Sequence, residues 1–120
     1  MDQEQDDKKR GANIFDNPDV SLNGDGTITL QLFVPVQWGQ NEVIEELVFR
    51  RPKVKDLKAA QRKDKMEESI HIIARVTGRT PVEIEELDIA DITTAGEIIE
   101  FFTMRSRLTG GSGSERLPVS

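Results

Sequence analysis

The sequence has no cysteine and no tyrosine, and its 120 residues include a single histidine, His71, and a single tryptophan, Trp38. Without cysteine there are no disulfides, no thiolate nucleophile and no cysteine-ligated zinc. A lone histidine makes a poor catalytic base or metal ligand, because either role needs partner groups at close range. His71 adjoins the inward-facing Ile70 but lies off the apolar stripe of its helix, and it reads as a surface or boundary residue. No window approaches ~20 consecutive apolar residues, so no membrane-spanning helix is expected. The opening MDQEQDDKKR lacks the apolar stretch of a secretory signal. No phosphate-cradling glycine loop, nucleophile elbow or dinucleotide fingerprint occurs. The neighbouring Glu85 and Glu86 diverge by about 100° around a helix and form a solvated acidic face rather than a catalytic pair. These absences predict a non-enzymatic protein that needs no cofactor and no metal.

What is present is charge, unevenly placed. The net charge is −6, yet Arg50, Arg51, Lys53, Lys55, Lys58, Arg62, Lys63 and Lys65 face only Asp56 and Asp64 in one stretch. From Thr80 to Met104 the charged residues are all acidic: Glu83, Glu85, Glu86, Asp88, Asp91, Glu97 and Glu100. This bipolarity suits either two solvated helix faces or a contact within or between copies.

Periodicity places the elements. Residues 1–25 mix charges with Gly, Asn and Pro, and their apolar residues are scattered (Ile14, Phe15, Val20, Leu22), which predicts a flexible arm. From Thr27 to Val34 a period of two, with Ile28, Leu30, Leu32 and Val34 alternating, predicts a strand that Pro35 ends or confines to an edge. After a turn at Trp38-Gly39-Gln40-Asn41, a second strand is expected over 42–49, with Val43, Leu47 and Phe49 on one face and Ile44 and Val48 on the other. Asp56 reads as the N-cap of a helix starting at Leu57, with Leu57 and Ala60 inward. The polar run 61–65 interrupts it, and a helix over 66–77 follows, its stripe made of Met66, Ile70, Ile73, Ala74 and Thr77. Gly78 is the expected left-handed terminator. Thr80-Pro81-Val82-Glu83 is a capping box with proline at the first helical position, opening a short helix that ends near Leu87. Asp88 caps a last helix over 89–104, with Ile92, Ala95, Ile99 and Phe102 inward and Ile98 and Phe101 widening the stripe. Gly96 inside it suggests a close backbone contact. The fold class is α+β: an N-terminal β-hairpin followed by three to four short α-helices, with disordered ends at 1–25 and 105–120 around a domain at 26–104. A core drawn from roughly 75 residues is close to the lower limit for independent folding.

Two further patterns carry only part of the chemistry they suggest. Asn23-Gly24-Asp25-Gly26 looks like the middle of an EF-hand loop, but position 12 falls on Leu32 where a bidentate Glu is required; a turn into a strand accounts for it. Residues 70–87 have the layout of a helix-turn-helix, yet the second helix carries Glu83, Glu85 and Glu86 and no base. Phosphate contacts need the opposite sign, and nucleic acid is a disfavoured partner, reachable only through the patch of Arg50, Arg51, Lys53, Lys55, Lys58 and Arg62.

Taken in order, the hairpin, Phe49-Arg50-Arg51-Pro52-Lys53-Val54-Lys55-Asp56-Leu57, Ile72-Ile73-Ala74-Arg75-Val76-Thr77-Gly78, Pro81, Leu87-Asp88, Asp91 and the closing Glu100-Phe101-Phe102 resemble the tail assembly chaperone family of Mu-like and P2-like myophages. The resemblance runs from Thr27 to Phe102 and rests on an R-x-P-x-x-x-D-L junction, an I-A-x-x-T-G helix end, a proline-started short helix, and a last helix with an early Asp and a late Phe. It implies a chaperone in the host bacterial cytoplasm. Such a protein binds the tape-measure protein, keeps it soluble until the tail tube protein polymerises around it, and is absent from the finished virion. It also implies that a frameshifted longer product can share this domain. The alternatives are a structural subunit of a contractile tail or injection machine, and a small nucleic-acid-binding regulator. Phe33, Trp38, Ile44, Val48, Ile98 and Phe101 are the apolar side chains in surplus of a small core and the candidates for holding an amphipathic client. The edge of a two-stranded sheet also invites homo-oligomers.

Overall fold

A computed structural model of the protein describes residues 13–104. The expected arm at 1–12 and tail at 105–120 lie outside them. A 3₁₀ turn at Ile14–Asp16 leads into three antiparallel strands, β1 (Val20–Leu22), β2 (Ile28–Trp38) and β3 (Glu42–Phe49), in the order β1-β2-β3. Four helices follow: α1 (Val54–Ala60), α2 (Lys65–Thr77), α3 (Pro81–Glu85) and α4 (Ile89–Thr103). The expected α+β architecture is therefore present, with one strand more than the hairpin.

That extra strand corrects the reading of 13–25 as part of an arm. Val20 pairs with Leu30 and Leu22 with Ile28, and Val20 is buried. The calcium-like loop is the turn between β1 and β2. Asn23 N–H donates to Thr27 O at 2.8 Å, Gly26 takes a φ of 90°, and Asp25 Oδ1 accepts from the Thr27 amide and hydroxyl at 3.0 and 2.7 Å. Asn-Gly and Asp-Gly flanked by alternating apolar residues are a strong hairpin signal. Here they outweigh the sparse apolar content of a three-residue strand.

β2 also runs past Pro35. Its register with β3 passes from Gln31↔Glu46 to Val36↔Ile44, so five steps along β2 match two along β3. The surplus residues form a bulge, and proline is tolerated there because no ladder bond is asked of it. The bulge resets the parity of β3 and leaves that of β2 unchanged. Val36 continues the inward set of Ile28, Leu30 and Leu32, Val34 of the same parity is lifted out to 40% exposure within the bulge, and Ile44 joins Leu47 and Phe49 in the core while Val43 and Val48 face solvent. The expected face assignment of β3 was correct from Leu47 onward and reversed before it.

The core lies between one face of the sheet and the helices, with Phe49, Ile28, Leu30, Ile73, Ile84 and Ile98 its largest fully enclosed side chains. α2 packs on β3 and α4 on β2, while α1 and α3 flank α2. Asp64 caps α2 by accepting from Met66 and Glu67 N–H, and Gly78 ends it in the left-handed region at φ 72°. The capping box of α3 forms as expected: Thr80 Oγ1 accepts from Glu83 N–H at 3.2 Å and Glu83 Oε1 from Thr80 N–H at 2.8 Å.

Three side-chain expectations fail for local reasons. α1 begins at Val54 rather than Leu57, which turns Leu57 out to solvent at 45% exposure. Met66 is exposed in the first turn of α2. Gly96 meets nothing: a Cβ built there would have no atom within 4 Å, so no close backbone contact explains it.

Candidate functional site

Asp56 and Asp91, two of the three buried carboxylates among the described residues, organise the polar interior. Asp56 sits at the third position of α1, fully enclosed. It accepts from Arg50 Nη1 at 2.8 Å and Nη2 at 3.0 Å, from Arg75 Nε at 3.0 Å, and from Lys53 N–H at 2.8 Å. A buried carboxylate persists only when charge-assisted bonds replace its hydration. The Arg50 fork foremost, with Lys53 N–H and Arg75 behind it, holds Asp56 well below the usual carboxylate range against the opposing effect of burial. The same bond raises Arg50. Arg50 N–H in turn donates to Val76 O at 3.1 Å. The end of β3, the start of α1 and the end of α2 are thereby tied at one point.

The second carboxylate, Asp91, belongs to the first turn of α4. Its Oδ1 accepts from Phe33 N–H at 2.8 Å and its Oδ2 from Val34 N–H at 3.0 Å. These two amides lie in the bulge, where β3 offers no acceptor. A side chain 58 positions away in the chain completes the strand. The consequence is external. With its backbone fixed from behind, Phe33 stands out at 73% exposure, with Val34 beside it, and Ile89, in the same helical turn as Asp91, is 71% exposed.

The candidate apolar residues therefore separate. Ile44 and Ile98 are 3% and 0% exposed and belong to the core. Trp38 and Phe101 are half-buried and pack against it. Only Phe33 and Val48 present much apolar surface, Val48 from the outer face of β3 opposite Thr29. The sequence alone does not single out Val34 or Ile89. Val34 has the parity of an inward residue and only the bulge lifts it off the core, and Ile89 reads as an ordinary helix start.

The basic patch separates in the same way. Arg50 serves Asp56. Arg51 donates to Phe102 O at 3.2 Å and lies over the Phe102 ring at 5.2 Å. Arg62 donates to Ala59 O, Gln61 O and His71 Nδ1. Lys53, Lys55 and Lys58 are exposed and make no ion pair among the described residues. His71, a quarter exposed, has Glu67 Oε1 3.8 Å from its Nε2. Among the described residues no group of three or more His, Asp or Glu is placed to hold a metal ion, and no helix is long and apolar enough to cross a membrane.

The residues with the deepest structural duties are those of the sequence motifs. Arg50 and Asp56 are the R and D of the junction, Thr77-Gly78 the helix end, Asp91 the early Asp and Phe102 the late Phe. Residues 27–104 match the family model described as phage tail assembly chaperone proteins, E, or 41 or 14. The chain belongs to this family. Among curated proteins and among solved structures nothing matches it significantly. Within the chaperone domain the motif residues hold the fold, and the bulge that Asp91 clamps presents the largest exposed apolar side chain on the sheet.

Proposed function

We propose that this chaperone binds the tape-measure protein of its phage and keeps that protein soluble until the tail tube polymerises, acting in the host bacterial cytoplasm and without catalysis. The family match over 27–104 carries the reading. The exposed Phe33 and Val34 at the clamped bulge, with Ile89 in the first turn of α4 and Val48 on the outer sheet face, offer apolar surface to the apolar face of a client helix. The tail tube protein is the partner that would displace the chaperone, and a contractile tail is the setting the Mu-like and P2-like resemblance implies. The alternative of a nucleic-acid-binding regulator is the weaker one, because Arg50, Arg51 and Arg62 are engaged internally.

Co-expression with the tape-measure protein from the same gene cluster tests the proposal. The expected result is a larger soluble fraction of that protein and a complex that co-purifies. Neither effect appearing would refute it. Recovery of the chain from purified virions by mass spectrometry would favour a structural subunit instead.

A further inference from the structure

The family match begins at residue 27, yet the folded part of the chain begins earlier. Asn13–Leu22 precedes the matched domain and lies on it like a strap. β1 occupies the edge of β2 that β3 leaves open, with Gln31 N–H donating to Asp19 O at 2.8 Å. The 3₁₀ turn rests on α4, where Phe15 meets Phe101 edge-on, ring centroids 5.3 Å apart at 82°.

The strap is held lightly. Of its residues only Val20 is buried, and Ile14 and Phe15 are partly covered. Much of its own polar bonding is internal: Asn13 Oδ1 accepts from Phe15 N–H and Asn17 Oδ1 from Asp19 N–H. Lifting it would break one short ladder and one aromatic contact. It would expose a strand edge over Ile28–Gln31 and the ring of Phe101, a pairing of backbone groups and apolar surface that suits an added strand.

We propose that Asn13–Leu22 is a self-ligand in a strand-addition site, which admits an extended client segment carrying an aromatic residue and, a few positions later, a β-branched one, as Phe15 and Val20 do. This rests on the proposed function, since it supposes a client. It adds to the bulge surface a second contact of different chemistry, one the chain closes itself when no client is present.

The absence of cysteine makes the test clean. Ser21 and Thr29 are directly opposed across β1 and β2, at the spacing a cross-strand disulfide needs. Full-length S21C/T29C, oxidised, locks the strap down; reduced, it is its own control. Phe15→Ser loosens the strap without touching a fully buried residue. The probe is a fluorescent peptide of residues 12–23 of this chain. Its binding should be about tenfold tighter to the Phe15→Ser chain than to wild type, because the competing state is less populated, and absent from the oxidised lock. Purified tape-measure protein diluted from denaturant should be kept soluble by the reduced S21C/T29C chain and poorly by the oxidised one. Equal peptide binding to all chains, or equal protection by locked and reduced protein, would overturn the proposal. If wild type itself fails to protect the tape-measure protein, the proposed function falls; a failure to distinguish locked from reduced protein counts against the strand-addition site alone.

Discussion

Asp91 holds Phe33 by its backbone: the carboxylate on α4 accepts the Phe33 amide at 2.8 Å and, through its other oxygen, the Val34 amide at 3.0 Å. The bond replaces a ladder partner that the bulge removes, and it aims an aromatic ring away from the core that the rest of β2 helps to build. Its removal should separate two effects. Asp91→Ala leaves two amides without acceptors and should cost about 2–3 kcal/mol. Asp91→Asn keeps one oxygen and should cost about 1 kcal/mol. Urea unfolding monitored by Trp38 fluorescence measures both, and equal stability of all three chains would contradict the clamp.

Exposure and core membership predict opposite phenotypes for two residues that sequence treated alike. Phe33→Ser removes surface that is already in water and should change stability by less than ~0.5 kcal/mol while reducing client solubilisation. Ile98→Ala opens a cavity in a closed core and should cost about 2–5 kcal/mol, impairing solubilisation through loss of folded protein. Thermal melts beside the co-expression assay distinguish them; a Phe33→Ser chain that melts far below wild type would show that the ring is packed.

Acid stability should report Asp56 and Glu83. Both have folded values lowered from their ordinary 3.8 and 4.5, Asp56 chiefly through Arg50 and Glu83 chiefly through Thr80 N–H, with Arg79 assisting. Groups lowered by folding stabilise the protein above their unfolded values and lose that effect as pH falls through the folded ones. Stability should therefore be flat from neutral pH to about pH 5 and decline below about pH 4. Asp56→Asn should lower stability at pH 7 by about 2 kcal/mol, a modest figure because both arginines are some 40% exposed and can return to water. It should also make the acid limb shallower. An unchanged limb in denaturant titrations from pH 7 to pH 2 would remove Asp56 from that role.

Gly96 offers a gain. It lies inside α4 with open space where a Cβ would stand. Gly96→Ala should stabilise the chain by about 1 kcal/mol through helix propensity alone. A loss of stability in the melt would mean that something not seen in the isolated domain approaches this backbone.

Sequence by itself determined the elements whose signals are local. The capping box at Thr80–Glu83, the αL stop at Gly78, the cap at Asp88 and the turn at Gly39 each depend on residues within a few positions of one another, and each forms as read. The order of the motifs was legible for the same reason, and it carried the family. Tertiary structure decided what depends on distant partners. Asp56 reads as a simple N-cap until Arg75 arrives from α2, and Asp91 reads as one more acidic surface residue until the bulge places two orphan amides against it. The bulge itself has no local signature beyond Pro35, yet it lifts Val34 off the core and shifts the parity of β3, which brings Ile44 inward. Which apolar residues are left at the surface follows from that shift. A strand's period of two tells only which residues share a face, and the register of the sheet chooses the face.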